Sequence, residues 1–375
     1  MNATLKLHAA GQSIWYDNIQ RKLLVNGEMA RMINAGEIRG VTSNPTIFMN
    51  AIAKSQDYDD GLLPLARVGQ SAEQIFYQLA IEDIQATADL FRQLYDETSG
   101  GDGYVSLEVS PHKAHDTDGT FKEAKSLWER VNRPNLMVKI PATKAGLPAI
   151  TSAIAAGLNI NVTLIFSLER YAEVLSAYMS GLEQRLVNGL PIDKIASVAS
   201  FFVSRVDTNI DPRLQAIIDK EDSRGDIAAG LLGKAAIANA CLAYAYFKET
   251  ISSDRWQALA AHGARPQRPL WASTGTKNPK YSDVLYVEEL VGENTVNTVP
   301  PQTLEAILDH AVVRPGTLEE NYYTAGDCLA NLEKLGISML QVTQQLEDEG
   351  VKSFADAFTA LLKVIDEHCK NAVVV

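Results

Sequence analysis

A rhythm in the sequence constrains the fold more than any single residue does. Short runs of apolar and β-branched residues recur at 14–19, 38–44, 104–110, 136–141, 160–166, 197–203, 269–274 and 295–300. Between them lie longer stretches of helical character, at 72–95, 121–131, 168–188, 226–250 and 301–310. Parallel strands need a long crossover, so strand–helix alternation points to a parallel sheet. Eight such units predict closure into a (β/α)8 TIM barrel with additional helices. A doubly wound open sheet would favour a glycine-rich turn after the first strand. Here Asp17 is followed by Asn18, Ile19 and Gln20, and the chain holds no Walker A sequence.

A barrel with insertions accommodates 375 residues, and no Pro/Ser-rich linker interrupts them, so residues 1–375 are expected to form a single domain. The surplus length falls in a C-terminal helical extension, about 321–375. Helices are expected there at 338–350 and 353–370, the second packing on the barrel's outside through Phe354, Ala357, Phe358, Leu361, Leu362 and Ile365. The run from Gly230 to Phe247 is broken by Lys234 and Asn239, and reads as a buried Ala-rich helix rather than a membrane span. The first residues lack the long apolar segment of a secretory signal. Cys241, Cys328 and Cys369 form no CxxC pair, which argues against a disulfide framework or structural zinc and fits a reducing cytoplasm. With 46 acidic against 34 basic residues the formal charge is −12. Such a surface repels nucleic acid and anionic membrane, so an anionic substrate must be held by a few local cations.

Barrel enzymes carry their chemistry at the carboxyl ends of the strands. Lys139 stands in the otherwise apolar run Leu136-Met137-Val138-Lys139-Ile140-Pro141. Burial disfavours an ammonium, and a neutral amine is the form that attacks a carbonyl. A lysine paired with a carboxylate inside the barrel is the alternative, and this strand by itself does not separate the two. Asp17 ends the first strand, after Ile14-Trp15-Tyr16, and Glu108 lies in the third run. Two carboxyls near such a lysine supply the proton handling that carbon–carbon cleavage requires, or else serve as its counter-ions. Thr42 with Asn44, Asn161 with Thr163, and Ser200 with Phe202 are each two apart, which puts each pair on one strand face. These faces suit substrate hydroxyls and a water; satisfied core polar pairs are the alternative. Arg205 follows the sixth run and Lys277 follows the seventh, with Ser273 and Thr274 near Lys277, a set suited to phosphate unless the cations are in surface ion pairs. His112 and His115 form an HxxH pair, but Pro111, Lys113, Asp116 and Asp118 around them read as a solvated loop, so no metal site is expected.

The same residues carry a resemblance to the transaldolases. The segments are Gly40-Val41-Thr42-Ser43-Asn44-Pro45-Thr46-Ile47-Phe48, Ser106-Leu107-Glu108-Val109-Ser110, Val138-Lys139-Ile140-Pro141-Ala142-Thr143, Asn161-Val162-Thr163-Leu164-Ile165-Phe166-Ser167 and Trp271-Ala272-Ser273-Thr274-Gly275-Thr276-Lys277. They occur in the family's order, and the chain is most similar to its long, single-function bacterial branch. The resemblance implies a transferase of the non-oxidative pentose phosphate pathway, without metal or organic cofactor. It would move a dihydroxyacetone unit from sedoheptulose 7-phosphate to glyceraldehyde 3-phosphate, giving erythrose 4-phosphate and fructose 6-phosphate. It further implies that Lys139 forms the Schiff base and that Asp17 takes the donor's C4-hydroxyl proton. Glu108 and Thr163 would hold the catalytic water, and Asn44 and Asn161 the dihydroxyacetone hydroxyls. Ser200, Phe202 and Arg205 match the family's Ser-x-Phe-x-x-Arg stretch, with Phe201 and Ser204 where some branches have Pro and Gly. Where many members place an arginine soon after the serine of the seventh run, Thr274-Gly275-Thr276 intervenes and Lys277 is the second phosphate contact expected. A cytoplasmic monomer or homodimer is expected. A simple Schiff-base aldolase and a non-catalytic sugar-phosphate-binding barrel are the rival readings.

Overall fold

The structure is a computed structural model that describes residues 2–373. Seven strands are present among those residues: β1 Gln12–Tyr16, β2 Val105–Glu108, β3 Leu136–Pro141, β4 Ile160–Ile165, β5 Ser197–Phe202, β6 Arg268–Ala272 and β7 Thr295–Val299. They form one sheet in the order β1-β7-β6-β5-β4-β3-β2, and every neighbouring pair is parallel. All strand residues are buried except Arg268, which is half-buried. That is why the strands read as nearly continuous apolar runs: a parallel sheet is covered on both faces.

The expected eighth strand, 38–44, is a single bridging residue rather than a regular strand. Val41 pairs in parallel fashion with Tyr16 on one edge of the sheet and with Val105 on the other. The Val41 N–H donates to the Tyr104 carbonyl at 2.9 Å, and its own carbonyl accepts from Ser106 N–H at 3.0 Å. The two sheet edges therefore curl toward the same short segment. Local sequence keeps that segment short. A side chain at Gly40 would meet the Trp15 ring at 2.6 Å. At the other end Asn44 caps the helix Pro45–Ala53, its side-chain oxygen accepting from Ile47 N–H at 3.0 Å. Proline in the first turn leaves the chain committed to that helix.

Helix Pro301–His310 matches its expected bounds. The stretch 72–95 divides at Phe91 into Ala72–Leu90 and Arg92–Glu97, and 226–250 divides into Gly225–Ala229 and Ala235–Ser252. No helix among the described residues is long and apolar enough to cross a membrane. In the C-terminal part a helix at Thr317–Lys334, which the sequence reading does not include, precedes the last element. The two helices expected beyond it are one, Met339–Val373. Its buried stripe, Val342, Leu346, Phe354, Phe358, Leu361 and Ile365, runs on through Gly350 at helical spacing. Burying each such large side chain contributes about 1.5–3 kcal/mol, which outweighs the roughly 1 kcal/mol that a mid-helix glycine costs.

Candidate active site

Strand register brings the first polar residues together. Glu108 on β2 lies beside Lys139 on β3, and Lys139 beside Asn161 on β4. One lysine and one carboxyl thus face each other near the carboxyl ends of adjacent buried strands. Lys139 is 5% exposed and Glu108 7%. The lysine Nζ donates to the Ser43 carbonyl at 3.2 Å and lies 3.7 Å from Glu108 Oε2, an ion pair longer than a hydrogen bond. The Phe354 ring centroid is 5.8 Å from the same Nζ. Burial pushes the Glu108 carboxyl up to about 7, against the opposing pull of the Lys139 charge. A carboxyl poised there can both give and take a proton at neutral pH.

Asp17 follows directly on β1 and reaches the same centre. Burial pushes its pKa up, while the Lys139 charge, the Thr42 hydrogen bond and Lys277 pull it down. Thr42 Oγ1 donates to Asp17 Oδ1 at 2.7 Å and lies 2.6 Å from Thr298 Oγ1. A hydroxyl has one proton, so with Thr42 donating to the carboxylate the Thr298 hydroxyl donates to Thr42. The chain Thr298–Thr42–Asp17 holds the carboxylate in place. Thr298 is absent from the sequence-level set, although a threonine within the apolar run 295–299 is the same kind of signal that singles out Thr42.

A cleft of about 420 Å³ opens above these groups. Asp17, Thr42, Asn44, Lys139 and Ser200 line it, with Phe202, Arg205, Ser273 and Lys277 toward one side. Among the described residues neither Arg205 nor Lys277 has an ion-pair partner within 4.0 Å. Arg205 stands in the first turn of helix Ser204–Ile218, its guanidinium 5.2 Å from the Phe202 ring centroid, and burial draws its pKa below the ordinary arginine value. Ser273 adopts φ 55°, and its carbonyl accepts from Ser204 N–H at 3.0 Å, which ties the loop after β6 to the start of the Arg205 helix. A serine held in the left-handed region is uncommon and clusters at functional sites. Two cations without carboxylate partners in one cleft of an acidic protein are suited to an anionic substrate.

Three of the expected site residues stand outside that lining. Asn161 is fully buried; Ser200 Oγ donates to its Oδ1 at 2.7 Å and its Nδ2 donates to Ser106 Oγ at 3.0 Å. Glu108 borders a small hollow shared with Asn44, Tyr77 and Phe358. Thr163 is buried at an irregularity in the β4–β5 register, where the next residue, Leu164, has φ 60°. Among the described residues, Thr163 Oγ1 and Glu108 Oε2 have no hydrogen-bond partner in the protein. Buried polar atoms of this kind pair with water or substrate. His112 is exposed, its ring edge-on to Phe358 at 5.5 Å, and it stands in a short turn with His115 exposed nearby.

A larger cavity, about 1250 Å³, lies at the amino ends of the strands, bordered by Ser13, Ser197 and Arg268. Ser13, Trp15, Arg39, Asp102 and Arg268 of its lining are spent on one another. Buried Asp102 accepts from Ser13 at 2.6 Å, Trp15 at 3.1 Å and Arg39 at 2.7 Å, with Arg268 at 3.4 Å. This face reads as support for the strands, at the end of the sheet away from the lysine–carboxyl centre.

A sequence model described as transaldolase/fructose-6-phosphate aldolase matches residues 14–365. The chain is 50% identical over 366 residues to the transaldolase of Saccharopolyspora erythraea, covering 98% of this chain and 97% of that one. It is 50% identical over 357 residues to the transaldolase of Thermobifida fusca, covering 95% of each. Identity to the transaldolase of Trichodesmium erythraeum is 46% over 376 residues, covering 99% of this chain and 98% of that one. With its lysine–carboxyl centre, its cation-lined cleft and these full-length matches, the chain belongs to the transaldolase/fructose-6-phosphate aldolase family.

Proposed function

We propose that this chain is a transaldolase, a transferase that carries a dihydroxyacetone unit from sedoheptulose 7-phosphate to glyceraldehyde 3-phosphate in the non-oxidative pentose phosphate pathway. The observation that carries the reading is Lys139, buried 3.7 Å from Glu108 beneath a cleft that presents two cations without carboxylate partners. Lys139 as a neutral amine adds to the ketose carbonyl. Glu108, poised about neutrality, passes the protons that let water leave and return, with Thr163 holding that water. Asp17, oriented by Thr42, accepts the C4-hydroxyl proton as the C3–C4 bond breaks. The bonding electrons pass into the iminium, and an enamine remains on Lys139 while the aldose phosphate departs. The acceptor aldehyde then enters, the enamine carbon attacks it, and the steps reverse. Placing lysine, carboxyls and water on rigid strands supplies the orientation.

Asn44 and Asn161 hold the hydroxyls of the three-carbon unit. Asn161 is fixed between Ser106 and Ser200, so its remaining amide capacity points one way. Arg205 and Lys277 grip the phosphate, Arg205 being seated on Phe202 and Ser273 closing that side. The wider frame of this reading is a closed barrel in which 38–44 fills the eighth position, one domain across residues 1–375, and a cytoplasmic monomer or homodimer.

The test is a product assay on fructose 6-phosphate with and without erythrose 4-phosphate. Sedoheptulose 7-phosphate and glyceraldehyde 3-phosphate should form rapidly only when the acceptor is present. Steady release of free dihydroxyacetone at the same rate without acceptor would make the chain a simple aldolase instead.

A further inference from the structure

The last helix, Met339–Val373, lies across the site rather than on the outside of the sheet. Three positions one turn apart, Gly350, Phe354 and Phe358, share a face. A side chain at Gly350 would meet Leu164 at 3.0 Å and the Arg205 guanidinium at 3.6 Å, so the helix backbone itself rests on the phosphate side. Phe354, 5% exposed, lines the cleft with its ring 5.8 Å from Lys139 Nζ. Phe358 borders the hollow that contains Glu108 and packs edge-on against Phe76 at 5.4 Å. One helix face therefore runs over Arg205, Lys139 and Glu108 in turn. Arg213 donates to Gln345 at 2.9 Å and Arg170 lies 3.4 Å from Glu347, which fasten the helix to the two helices after β5 and β4.

We propose that Phe354 is a specificity-determining residue that favours transfer over release. The inference rests on Lys139 being the Schiff-base lysine. After C3–C4 cleavage the enamine carbon has two fates. It can attack the acceptor aldehyde, forming the new carbon–carbon bond. Alternatively it takes a proton from water; a second water then adds to the iminium carbon, the C–N bond breaks, and free dihydroxyacetone and the lysine amine result. An aromatic ring packed beside the nitrogen keeps that side of the adduct dry, which slows both the proton transfer from water and the addition of the second water, the two steps that release needs and attack on the aldehyde does not.

The experiment measures free dihydroxyacetone released per transfer event, with fructose 6-phosphate as donor and erythrose 4-phosphate as acceptor, for the whole chain and for Phe354→Ala and Phe354→Leu. Borohydride labelling of Lys139 is recorded for each. Phe354→Ala should raise the release-to-transfer ratio about tenfold, and Phe354→Leu, which keeps apolar bulk but no ring, by a smaller factor, with labelling retained. Should Phe354→Ala fail to fold, the rise in Phe354→Leu decides the matter. An unchanged ratio in a folded, labelled variant overturns the proposal and leaves Phe354 as packing. Absence of label on Lys139 in the unaltered chain overturns the Schiff-base reading itself, a result distinct from an unchanged ratio.

Discussion

Glu108 is a carboxyl that the fold holds near neutrality, and its two roles pull in opposite directions. Burial raises it from 4.5 to about 7, so the folded chain binds a proton more tightly than the unfolded one. The stability tied to that proton is fully present below about pH 4.5 and is lost as pH rises through about 7. Glu108→Gln removes this dependence, so melts of the two proteins should show the glutamine variant gaining on the parent between pH 5 and pH 8. The same substitution should slow imine formation and hydrolysis by about 10²–10⁴, measured by rapid quench, since a positioned acid–base group contributes that much. Unchanged turnover would make Glu108 a counter-ion and nothing more. Arg205 offers a second test at this scale. Arg205→Ala should raise KM for fructose 6-phosphate by roughly 10- to 150-fold, the loss of a charge-assisted contact worth about 1.5–3 kcal/mol. With unphosphorylated dihydroxyacetone as donor KM should change little; equal losses on both donors would move the phosphate site elsewhere. Most of these residues were legible in the sequence, because a lysine or carboxylate inside an apolar run has few structural reasons to be there. Thr298 and Phe354 were not. The first has the polar signal but no motif to draw notice, and the second is an apolar residue on an amphipathic helix, indistinguishable from packing until its neighbours are known.

Elements show the same division between what local pattern determines and what tertiary contact decides. Six of the eight sequence runs coincide with strands to within about two residues at most ends, because buried parallel strands write themselves as apolar blocks. The run 14–19 is displaced: its strand begins at Gln12 and stops at Tyr16, where Asp17 enters the cleft. The run 38–44 reduces to Val41, because Gly40 faces the Trp15 ring and Asn44-Pro45 opens a helix. The last helix is the reverse case. Gly350 reads as a break between two helices, yet the apolar stripe on either side holds the chain helical through it. The position is crowded: an added Cβ would meet Leu164 at 3.0 Å, with Phe166 and Arg205 in ordinary contact at 3.6 Å. Gly350→Val should accordingly destabilise the fold by about 1–3 kcal/mol through overpacking, and should raise KM for phosphorylated donors by displacing Arg205. Urea unfolding and steady-state kinetics check both effects. A gain in stability would mean that helix propensity outweighs the crowding.

For the whole molecule, the two ends of the strands do different work. The amino end carries Asp102 with Ser13, Trp15, Arg39 and Arg268 around it, a network whose cations draw the Asp102 carboxyl below its ordinary value despite burial. At the carboxyl end, among the described residues, Arg205 and Lys277 have no ion-pair partner within 4.0 Å, Thr163 Oγ1 and Glu108 Oε2 have no hydrogen-bond partner, and the lysine–carboxyl pair is stretched to 3.7 Å. Ionic support at one end, and a lysine–carboxyl pair beside a cation-lined cleft at the other, is how a strand scaffold holds reactive groups without collapsing around them. The α/β class with its parallel sheet followed from periodicity, whereas the division of labour needed the register that sets Glu108, Lys139 and Asn161 side by side. Every step of the proposed transfer depends on Lys139 holding the substrate covalently. Borohydride added with fructose 6-phosphate should leave a reduced dihydroxyacetone unit on the peptide that contains Lys139, seen by mass spectrometry, and none in Lys139→Ala. An adduct that survives in Lys139→Ala, or that maps to Lys144, would contradict it.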